Sequence, residues 1–330
     1  MTDRQPLPPP VHYLPVDPRF EFKVGLRRLG NDLGHGEIDA RVFQIDTQWP
    51  AYRAAKLAAR SERLAKYVCR SSALSAPAQR QVTACLLRQL TEEYPQWFRR
   101  EDDGGGQRVA CGLAGEILHF DADLQLTRAE GAQAVDPPYQ DGLDALLCQV
   151  QEDLAFVSVY AAGERLTYLH LCHANHWAGE DKLDRGFEAM HGPVPGFERI
   201  ARQSGRLMDA LTTQGPFVRF AWGVATDARL NHHPEPPPGW DAGEWRGRRF
   251  DADAPALYLR VERQVMMGLP EVPGFVFTIR TYLRDVQELD GRSRQTLAAA
   301  LASMDEATAG YKGLEQRGAL IEWLRTGATG

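Results

Sequence analysis

The 330-residue sequence lacks the features that define several common protein classes. No stretch approaches the roughly 18 to 20 apolar residues that a membrane span requires, so we predict that this is not an integral membrane protein. The first ten residues are polar and proline-rich, so no secretory signal is indicated and a cytoplasmic location is predicted. The net charge of −6 disfavours nucleic acid as a partner, because phosphate binding relies on an excess of basic residues.

Cysteine and lysine are also scarce. The five cysteines lie far apart without a CxxC pair, so a disulfide framework or a thiolate zinc site is not indicated, and most are predicted to be core residues. Five of the 38 basic residues are lysine, and the others are arginine, whose guanidinium suits carboxylate contacts. A glycine-rich phosphate loop, a GxSxG segment and a Cys–His signature are absent too.

The hydrophobic pattern predicts an α+β protein. Seven helices and five strands are expected. The helices are 51–68, 75–94, 142–154, 181–189, 197–211, 293–304 and 314–324, and the strands are 155–160, 166–171, 216–225, 256–265 and 274–283. Because the strands do not alternate regularly with helices, we expect an antiparallel sheet flanked by N-terminal and C-terminal helices. Residues 1–45 are predicted to form an irregular arm, 46–290 a single α+β domain, and 291–330 helices packed on it.

The last two predicted strands carry alternating polar residues. Residues 257–264 and 275–282 are separated by a turn-rich connection, so we expect them to pair as antiparallel neighbours. This pairing is predicted to place Arg260, Glu262 and Arg280 on one polar face. Either the face is solvated, with ion pairs worth at most about 1 kcal/mol, or it lines a cavity and offers guanidinium groups to carboxylates.

The sequence offers two candidate sources of metal ligands, a cluster of three histidines and the single residue His191. His170, His173 and His176 are each three residues apart, but the strand predicted at 166–171 alternates its side chains, so their convergence on one ion needs a sharp bend. His191 lies after a predicted helix and just before two prolines, which fix the backbone and suit a ligand held in one geometry. The alternative for His191 is a turn histidine bonded to the backbone.

Five segments in a fixed order carry a family resemblance. They are FEFKVGLRRL at 20–29, HWAGEDK at 176–182, MHGPVP at 190–195, LRVERQ at 259–264 and FVFTIRTY at 275–282. The chain resembles the haem-dependent oxidative N-demethylase-like family over roughly residues 13 to 290. The resemblance implies a haem b protein with a PAS-like core, which is an antiparallel sheet flanked by helices. It also implies O₂ and a separate reductase as partners, with a small methylated amine oxidised and formaldehyde released.

The resemblance also implies roles for individual residues. His191 is the expected axial iron ligand, with His176 as the second candidate. The expected cofactor-binding arginines, for contacts with the haem propionates, are Arg219, Arg260, Arg263 and Arg280. The residues expected at the substrate are Glu262, Tyr258 and Trp222. The chain departs from the family pattern at Ala221, where asparagine is usual, and at 174–175, where Ala-Asn replaces Pro-Ser.

The sequence therefore predicts a haem-dependent oxygenase subunit that oxidises a small amine or another nitrogen-containing substrate with O₂, oxidative N-demethylation included. Two alternatives stay open. One is a non-catalytic, PAS-like haem protein that senses gas. The other is a haem-free metal hydrolase that uses the histidines of 170–176. The sequence does not fix the oligomeric state, and a homo-oligomer is compatible with it.

Overall fold

Eleven strands and ten α-helices form the regular structure of this computed structural model, which describes residues 6–314 and 316–326. The strands are β1 (Arg27–Arg28), β2 (Val68–Arg70), β3 (Phe98–Asp103), β4 (Gly106–Cys111), β5 (Glu116–Phe120), β6 (Leu126–Glu130), β7 (Asp153–Tyr160), β8 (Gly163–His170), β9 (Phe217–Ala225), β10 (Tyr258–Gly268) and β11 (Gly274–Asp285). The helices are α1 (Trp49–Tyr67), α2 (Ala76–Glu93), α3 (Gly142–Leu147), α4 (Phe187–His191), α5 (Glu198–Ala201), α6 (Ser204–Thr213), α7 (Ala242–Trp245), α8 (Gly291–Ala302), α9 (Glu306–Lys312) and α10 (Gly318–Thr326).

Two antiparallel sheets organise these elements. The larger has seven strands in the order β1-β9-β10-β11-β7-β8-β2, and the smaller has the order β3-β4-β5-β6. The prediction of an α+β protein with an antiparallel sheet and flanking helices is confirmed. The smaller sheet was not predicted, because its first strand is almost entirely charged and exposed and shows no apolar alternation.

The register of β9, β10 and β11 defines two faces of the large sheet. Glu262 lies opposite Ala221 on one side and Thr281 on the other, and Gln264 lies opposite Arg219. Since paired residues share a face and neighbours alternate, these side chains form one surface, which we name the Glu262 face. Its members on β9 and β10 are Arg219, Ala221, Gly223, Arg260, Glu262 and Gln264.

The opposite surface is named the Arg263 face. Arg263 pairs directly with Arg280 across β10 and β11, and Val261 pairs with Tyr282. The two strands pair as predicted. The prediction that Arg280 shares a face with Arg260 and Glu262 is wrong, because the observed register puts Arg280 opposite an odd-numbered residue of β10.

Helices from different parts of the chain cover the two faces. The C-terminal helices α8 and α10 pack through Leu297 and Leu324 against Leu259 and Val261 on the Arg263 face. The Glu262 face is covered mainly by the segment between β8 and β9, which contains α4, α5 and α6. Met208 and Leu211 of that segment belong to one apolar cluster with Met266 and Ile279 of the sheet. A cover of short helices therefore lies over a partly polar sheet surface.

Three predicted helices differ from the observed elements. The helix expected over 142–154 ends at Leu147, and Leu154 belongs to β7, where it pairs with both β8 and β11. The helix expected over 181–189 is a 3₁₀ turn followed by α4, since Gly186 interrupts it with extended backbone. The helix expected over 197–211 is divided into α5 and α6. The second and third differences lie in the cover of the Glu262 face.

The predicted core role of the cysteines is confirmed, because all five are buried and none is in a disulfide. In the part of the chain that the structure describes, every helix is too short or too polar to cross a lipid bilayer.

Candidate functional site

His191 ends the short helix α4 over the Glu262 face. Its Nδ1 atom lies 2.8 Å from the main-chain oxygen of Phe187, which can only accept a hydrogen bond. Nδ1 must therefore carry the proton, and Nε2 keeps its lone pair. Nε2 has no hydrogen-bond partner among the described residues. A neutral imidazole with one nitrogen fixed by a carbonyl and the other free is the form that ligates metals.

The surroundings of His191 hold the ring in place and keep it neutral. The ring lies 4.4 Å from the Phe187 ring and stacks on Phe197 at 5.7 Å, measured between centroids. Burial lowers its pKa below the usual 6.5, and the positive charges of Arg219 and Lys182 lower it further, against the opposing effect of the Phe187 carbonyl. At neutral pH the ring is therefore uncharged.

The helix that carries His191 is attached at both ends. The Phe187 amide donates to a carboxylate oxygen of Glu164 on β8 at 2.8 Å, and the Lys182 ammonium donates to the Met190 carbonyl at 3.0 Å. The amide of Val194, between the two prolines that follow, donates to the His191 carbonyl at 2.8 Å. These bonds give a five-residue helix a defined position, which its length alone would not.

Arg219 is the predicted arginine that lies beside His191. It projects from β9 on the Glu262 face, and burial lowers its pKa, while the negative charge of Glu262 opposes that shift. Its Nη2 donates to the Lys23 carbonyl at 3.1 Å, and its buried Nε has no partner among the described residues. Arg219 therefore keeps hydrogen-bonding capacity next to the candidate ligand.

Glu262 lies in the middle of the same face, with both carboxylate oxygens engaged. One accepts from the Asn175 side chain at 3.1 Å and the other from Gln264 at 3.0 Å, while the Nε of Arg260 lies 3.7 Å away. Asn175 belongs to the Ala-Asn pair that departs from the family pattern, and the departure therefore supplies a partner of Glu262. This carboxylate is held in one orientation beside Arg219.

The other three predicted arginines bind parts of the protein itself. Arg260 donates to the carbonyls of Leu230 and His173 at 2.8 and 2.6 Å. On the other face, Arg263 donates to the carbonyls of Asp39, Arg41 and Val42, and Arg280 binds Asp46 between the rings of Tyr52 and Tyr282. Arg263 and Arg280 lie on the far side of the sheet from His191, so the structure does not bring the four arginines together.

His176, the second candidate ligand, lies in a different contact network from His191. Its ring stacks on His232 with centroids 5.1 Å apart, and its backbone has a φ of +62°. Its amide donates to the His232 carbonyl at 3.0 Å. Burial, together with the charge of Arg248, lowers the pKa of His176 to about 2. It is a neutral imidazole, but one that already packs face to face with another ring.

The three histidines of 170–176 do not converge. His170 lies 3.3 Å from Asp144 and His173 lies 3.7 Å from Asp153, both fully buried, whereas His176 stacks on His232. Candidate ligand groups among the described residues are Asp144–Cys148–His170, Asp153–His170–Cys172 and Glu180–His233–Glu235. None contains two of the three histidines.

The two buried groups are poor metal sites as they stand. Arg60 pairs with Asp144 at 2.8 Å, and Lys56 lies 3.6 Å from Asp153, so protein cations already neutralise the carboxylates. Burial also raises the pKa of the Cys148 thiol to about 12, so the thiol is protonated at neutral pH in this environment. The arrangement gives no support to the haem-free metal hydrolase.

Tyr258 and Trp222 lie away from Glu262. Tyr258 is the first residue of β10, four residues from Glu262, which is about 13 Å along a strand. Trp222 is on β9 and pairs with Val261, so it belongs to the Arg263 face at its edge, and it packs against Phe20 with ring centroids 5.3 Å apart. Neither residue touches Glu262 among the described contacts.

Sequence reasoning missed Lys312 at the end of α9. Its ammonium donates to the Trp222 carbonyl at 2.8 Å, and Glu262 and Arg248 act on its pKa, which burial lowers to about 8. Lys312 follows Trp222 by 90 positions, and no local pattern connects the two. Only the folded arrangement shows that this lysine joins the site.

The residues of this site lie in a region that matches a known protein family. The model of the family described as "Haem-dependent oxidative N-demethylase, alpha subunit-like" matches residues 37–321. The chain belongs to this family. The predicted family is therefore confirmed. The match includes four of the five segments, α4 with His191 and strands β9, β10 and β11, and it begins after the segment at 20–29.

Proposed function

We propose that this chain is the haem-bearing subunit of an oxygenase and that it binds haem b against the Glu262 face, with His191 as the axial ligand. In this proposal, residues 46–290 form the haem-binding domain and 291–330 the C-terminal part packed on it, of which 315 and 327–330 lie outside the described residues. The observation that carries the proposal is the fixed tautomer of His191, whose Nδ1–H is taken by the Phe187 carbonyl and whose Nε2 is free.

The order of the central strands supports a PAS-like core. Taken along the chain, β7, β8, β9, β10 and β11 are the first to fifth strands, and their spatial order is third, fourth, fifth, first and second. The short helices α4, α5 and α6 lie between the second and the third. PAS domains share this order and this position of helices, and they bind cofactors between those helices and the sheet. His191 and Arg219 occupy that place here.

The donor set of the site fits a haem. A haem iron accepts a neutral imidazole as its protein ligand, and the porphyrin is held by apolar walls and by positive charge near its propionates. His191 supplies the nitrogen, Phe187 and Phe197 supply aromatic walls, and Arg219 supplies a cation with an unused donor. Arg260, with two backbone carbonyls as partners, is a weaker candidate for a propionate contact, and Arg263 and Arg280 face away.

The proposed reaction is an O₂-dependent oxidation of a small nitrogen compound. For N-demethylation, R₂N–CH₃ + O₂ + 2e⁻ + 2H⁺ gives R₂NH + CH₂O + H₂O, with the electrons from a separate reductase. The bound haem would supply O₂ activation and oxidation of the methyl group. The chain's own residues orient the reactants and shield them from water. His191 holds the cofactor, and Phe187 and Phe197 exclude water. The fixed carboxylate of Glu262 accepts a hydrogen bond from an N–H group of the substrate.

The visible spectrum of the purified protein tests the cofactor and its ligand. We expect a Soret band that shifts with dithionite and again with CO, and we expect His191→Ala to lose most of its haem or to change this spectrum. His176→Ala is the matched control and should keep the native spectrum. Haem content and spectrum unchanged in His191→Ala would reject His191 as the ligand. Protein that stays colourless after hemin saturation and gel filtration would reject the function.

Turnover separates an oxygenase from a gas sensor. With a chemical or enzymatic reductant, we expect formaldehyde release from a small N-methyl compound in proportion to O₂ consumed. Haem that binds O₂ or CO without formaldehyde or any other oxidised product across such substrates would favour the sensor.

A further inference from the structure

A cavity of about 470 Å³ lies between the N-terminal arm and the edge of β9. We name it the arm cavity. Its walls are the arm from His12 to Arg27, the β9 residues from Arg219 to Trp222, and Lys312. Cavities of about 300–1,000 Å³ are the size that binds small organic molecules. The arm therefore encloses a space of metabolite size along the strand that carries Arg219.

Positive charge predominates in the lining of the arm cavity. Its basic residues are Arg19, Lys23, Arg27, Arg219 and Lys312, and its acidic residues are Asp17 and Glu21. The two acids lie at the exposed rim and contact neighbours there: Lys23 lies 3.4 Å from each, and Arg19 lies 3.8 Å from Glu21. They do not pair with Arg219 or Lys312.

The two inner cations lack a carboxylate partner of their own. Glu262 acts on both electrostatically, but its oxygens already accept from Asn175 and Gln264. The Lys312 ammonium donates to one carbonyl, that of Trp222, and can donate two more hydrogen bonds. Burial lowers the pKa of Lys312 and of Arg219, which shows that their charges are only partly compensated.

Aromatic rings give the cavity apolar walls. The Lys312 ammonium lies 4.9, 5.7 and 5.9 Å from the ring centroids of Phe20, Phe22 and Trp222. These rings hold the ammonium by cation–π attraction, so the chain's own lysine fills the place that a small cationic ligand would take. A further cation would meet repulsion here, whereas an anion with an apolar body meets two cations and several rings.

We propose that the arm cavity binds the carboxylate of an organic ligand, with Lys312 as its cationic contact and Arg219 as a second cation in the lining of the same cavity. Two sources share this chemistry: a free organic acid, and a propionate of the haem. The second source rests on the proposed function, and the first does not.

Calorimetric titration with benzoate and with its neutral analogue benzamide tests the carboxylate site in the purified protein after extraction of any bound haem. We expect benzoate to bind and benzamide to bind at least about tenfold more weakly, because charge-assisted hydrogen bonds supply the difference. Lys312→Met should weaken benzoate binding about tenfold or more, and Arg219→Gln should weaken it by a smaller factor through loss of the second positive charge. Arg246→Gln, an exposed arginine outside the cavity, is the control and should leave it unchanged.

Repeating the titration after haem saturation distinguishes the sources. Benzoate that still binds the haem-loaded protein identifies a site for a free organic acid. Benzoate that binds the haem-free protein but is excluded once haem is bound identifies a propionate in the cavity. Equal binding of benzoate and benzamide, unchanged affinity in both Arg219→Gln and Lys312→Met, or no benzoate binding to the haem-free protein would overturn the proposal. Arg219→Lys and Lys312→Arg keep the charge and should retain most of the affinity, which separates lost charge from misfolding.

Discussion

Asp46 accepts a hydrogen bond of 2.7 Å from the Arg280 guanidinium, and both side chains are almost fully excluded from solvent. The guanidinium also lies 4.0 Å from the ring centroid of Tyr52 and 4.6 Å from that of Tyr282. This arginine therefore connects the segment before α1 to the Arg263 face of the sheet. These contacts of Arg280 indicate a structural role.

Loss of this buried pair should destabilise the fold. We predict that Asp46→Asn lowers the free energy of unfolding by about 3–5 kcal/mol, because it removes the carboxylate that pairs with the buried Arg280 charge. Urea unfolding followed by circular dichroism measures the change. Glu101→Gln is the control, since Glu101 forms an exposed pair with Arg108, and it should cost less than about 1 kcal/mol. Equal effects of the two substitutions would contradict the structural role of Asp46.

The sequence was sufficient to predict the central strands but not their register. Alternation in 257–264 and 275–282 identifies two paired strands. Which residues of β10 share a face with Arg280 depends on the pairing register, and the turn between the strands sets that register. Arg219 and His191 are 28 residues apart, and only the way α4 is tied to β8 brings the Arg219 charge close to the His191 ring. Lys312 joins them from a C-terminal helix for which local pattern gives no signal.

The buried residue His173 makes the free energy of unfolding depend on pH. Burial lowers the pKa of His173 to about 3, with Lys56, Arg260 and Arg280 adding to the shift and Asp153 opposing it. The unfolded chain binds a proton at this residue below about pH 6.5 and the folded chain does not, so stability falls as the pH falls below 6.5. The loss due to His173 approaches about 1.4 kcal/mol per pH unit.

The measurement is urea unfolding of the native chain and of His173→Gln between pH 7 and pH 5. The difference between the two chains isolates His173 from Glu93, whose pKa burial raises to about 7 and which acts in the opposite direction. We predict that the advantage of the native chain over His173→Gln shrinks as the pH is lowered. A difference that is constant with pH would show that the pKa of His173 is the same in the folded and the unfolded chain.

Gly268 at the end of β10 fixes the distance between the sheet and α6. A Cβ atom at this position would lie 1.9 Å from the carbonyl oxygen of Thr212, so α6 must move to accept a side chain. We predict that Gly268→Ala destabilises the protein by about 1–3 kcal/mol. It should also increase amide exchange across 187–213, the cover of the Glu262 face.

The control for this substitution lies in α6, the helix that a side chain at Gly268 would contact. A Cβ on Gly205 would meet nothing within 4 Å, so Gly205→Ala should stabilise α6 by up to about 1 kcal/mol through helix propensity. Thermal unfolding and hydrogen exchange compare the two variants. Gly268→Ala with native stability and native exchange over α4 to α6 would mean that this contact does not position the cover.

Carboxylate binding in the arm cavity should depend on the charge of Lys312. Burial and the positive charge of Arg248 lower its pKa to about 8, and Glu262 partly offsets the shift. A bound carboxylate favours the protonated ammonium and raises this pKa, so affinity is highest below pH 8 and falls above it, by at most about tenfold per pH unit. Lys312→Arg stays charged throughout, so its affinity for benzoate should remain constant from pH 7 to 9.5. Calorimetry across that range measures both chains. Native and Lys312→Arg profiles that coincide would show that Lys312 does not contact the carboxylate, even if Arg219 does.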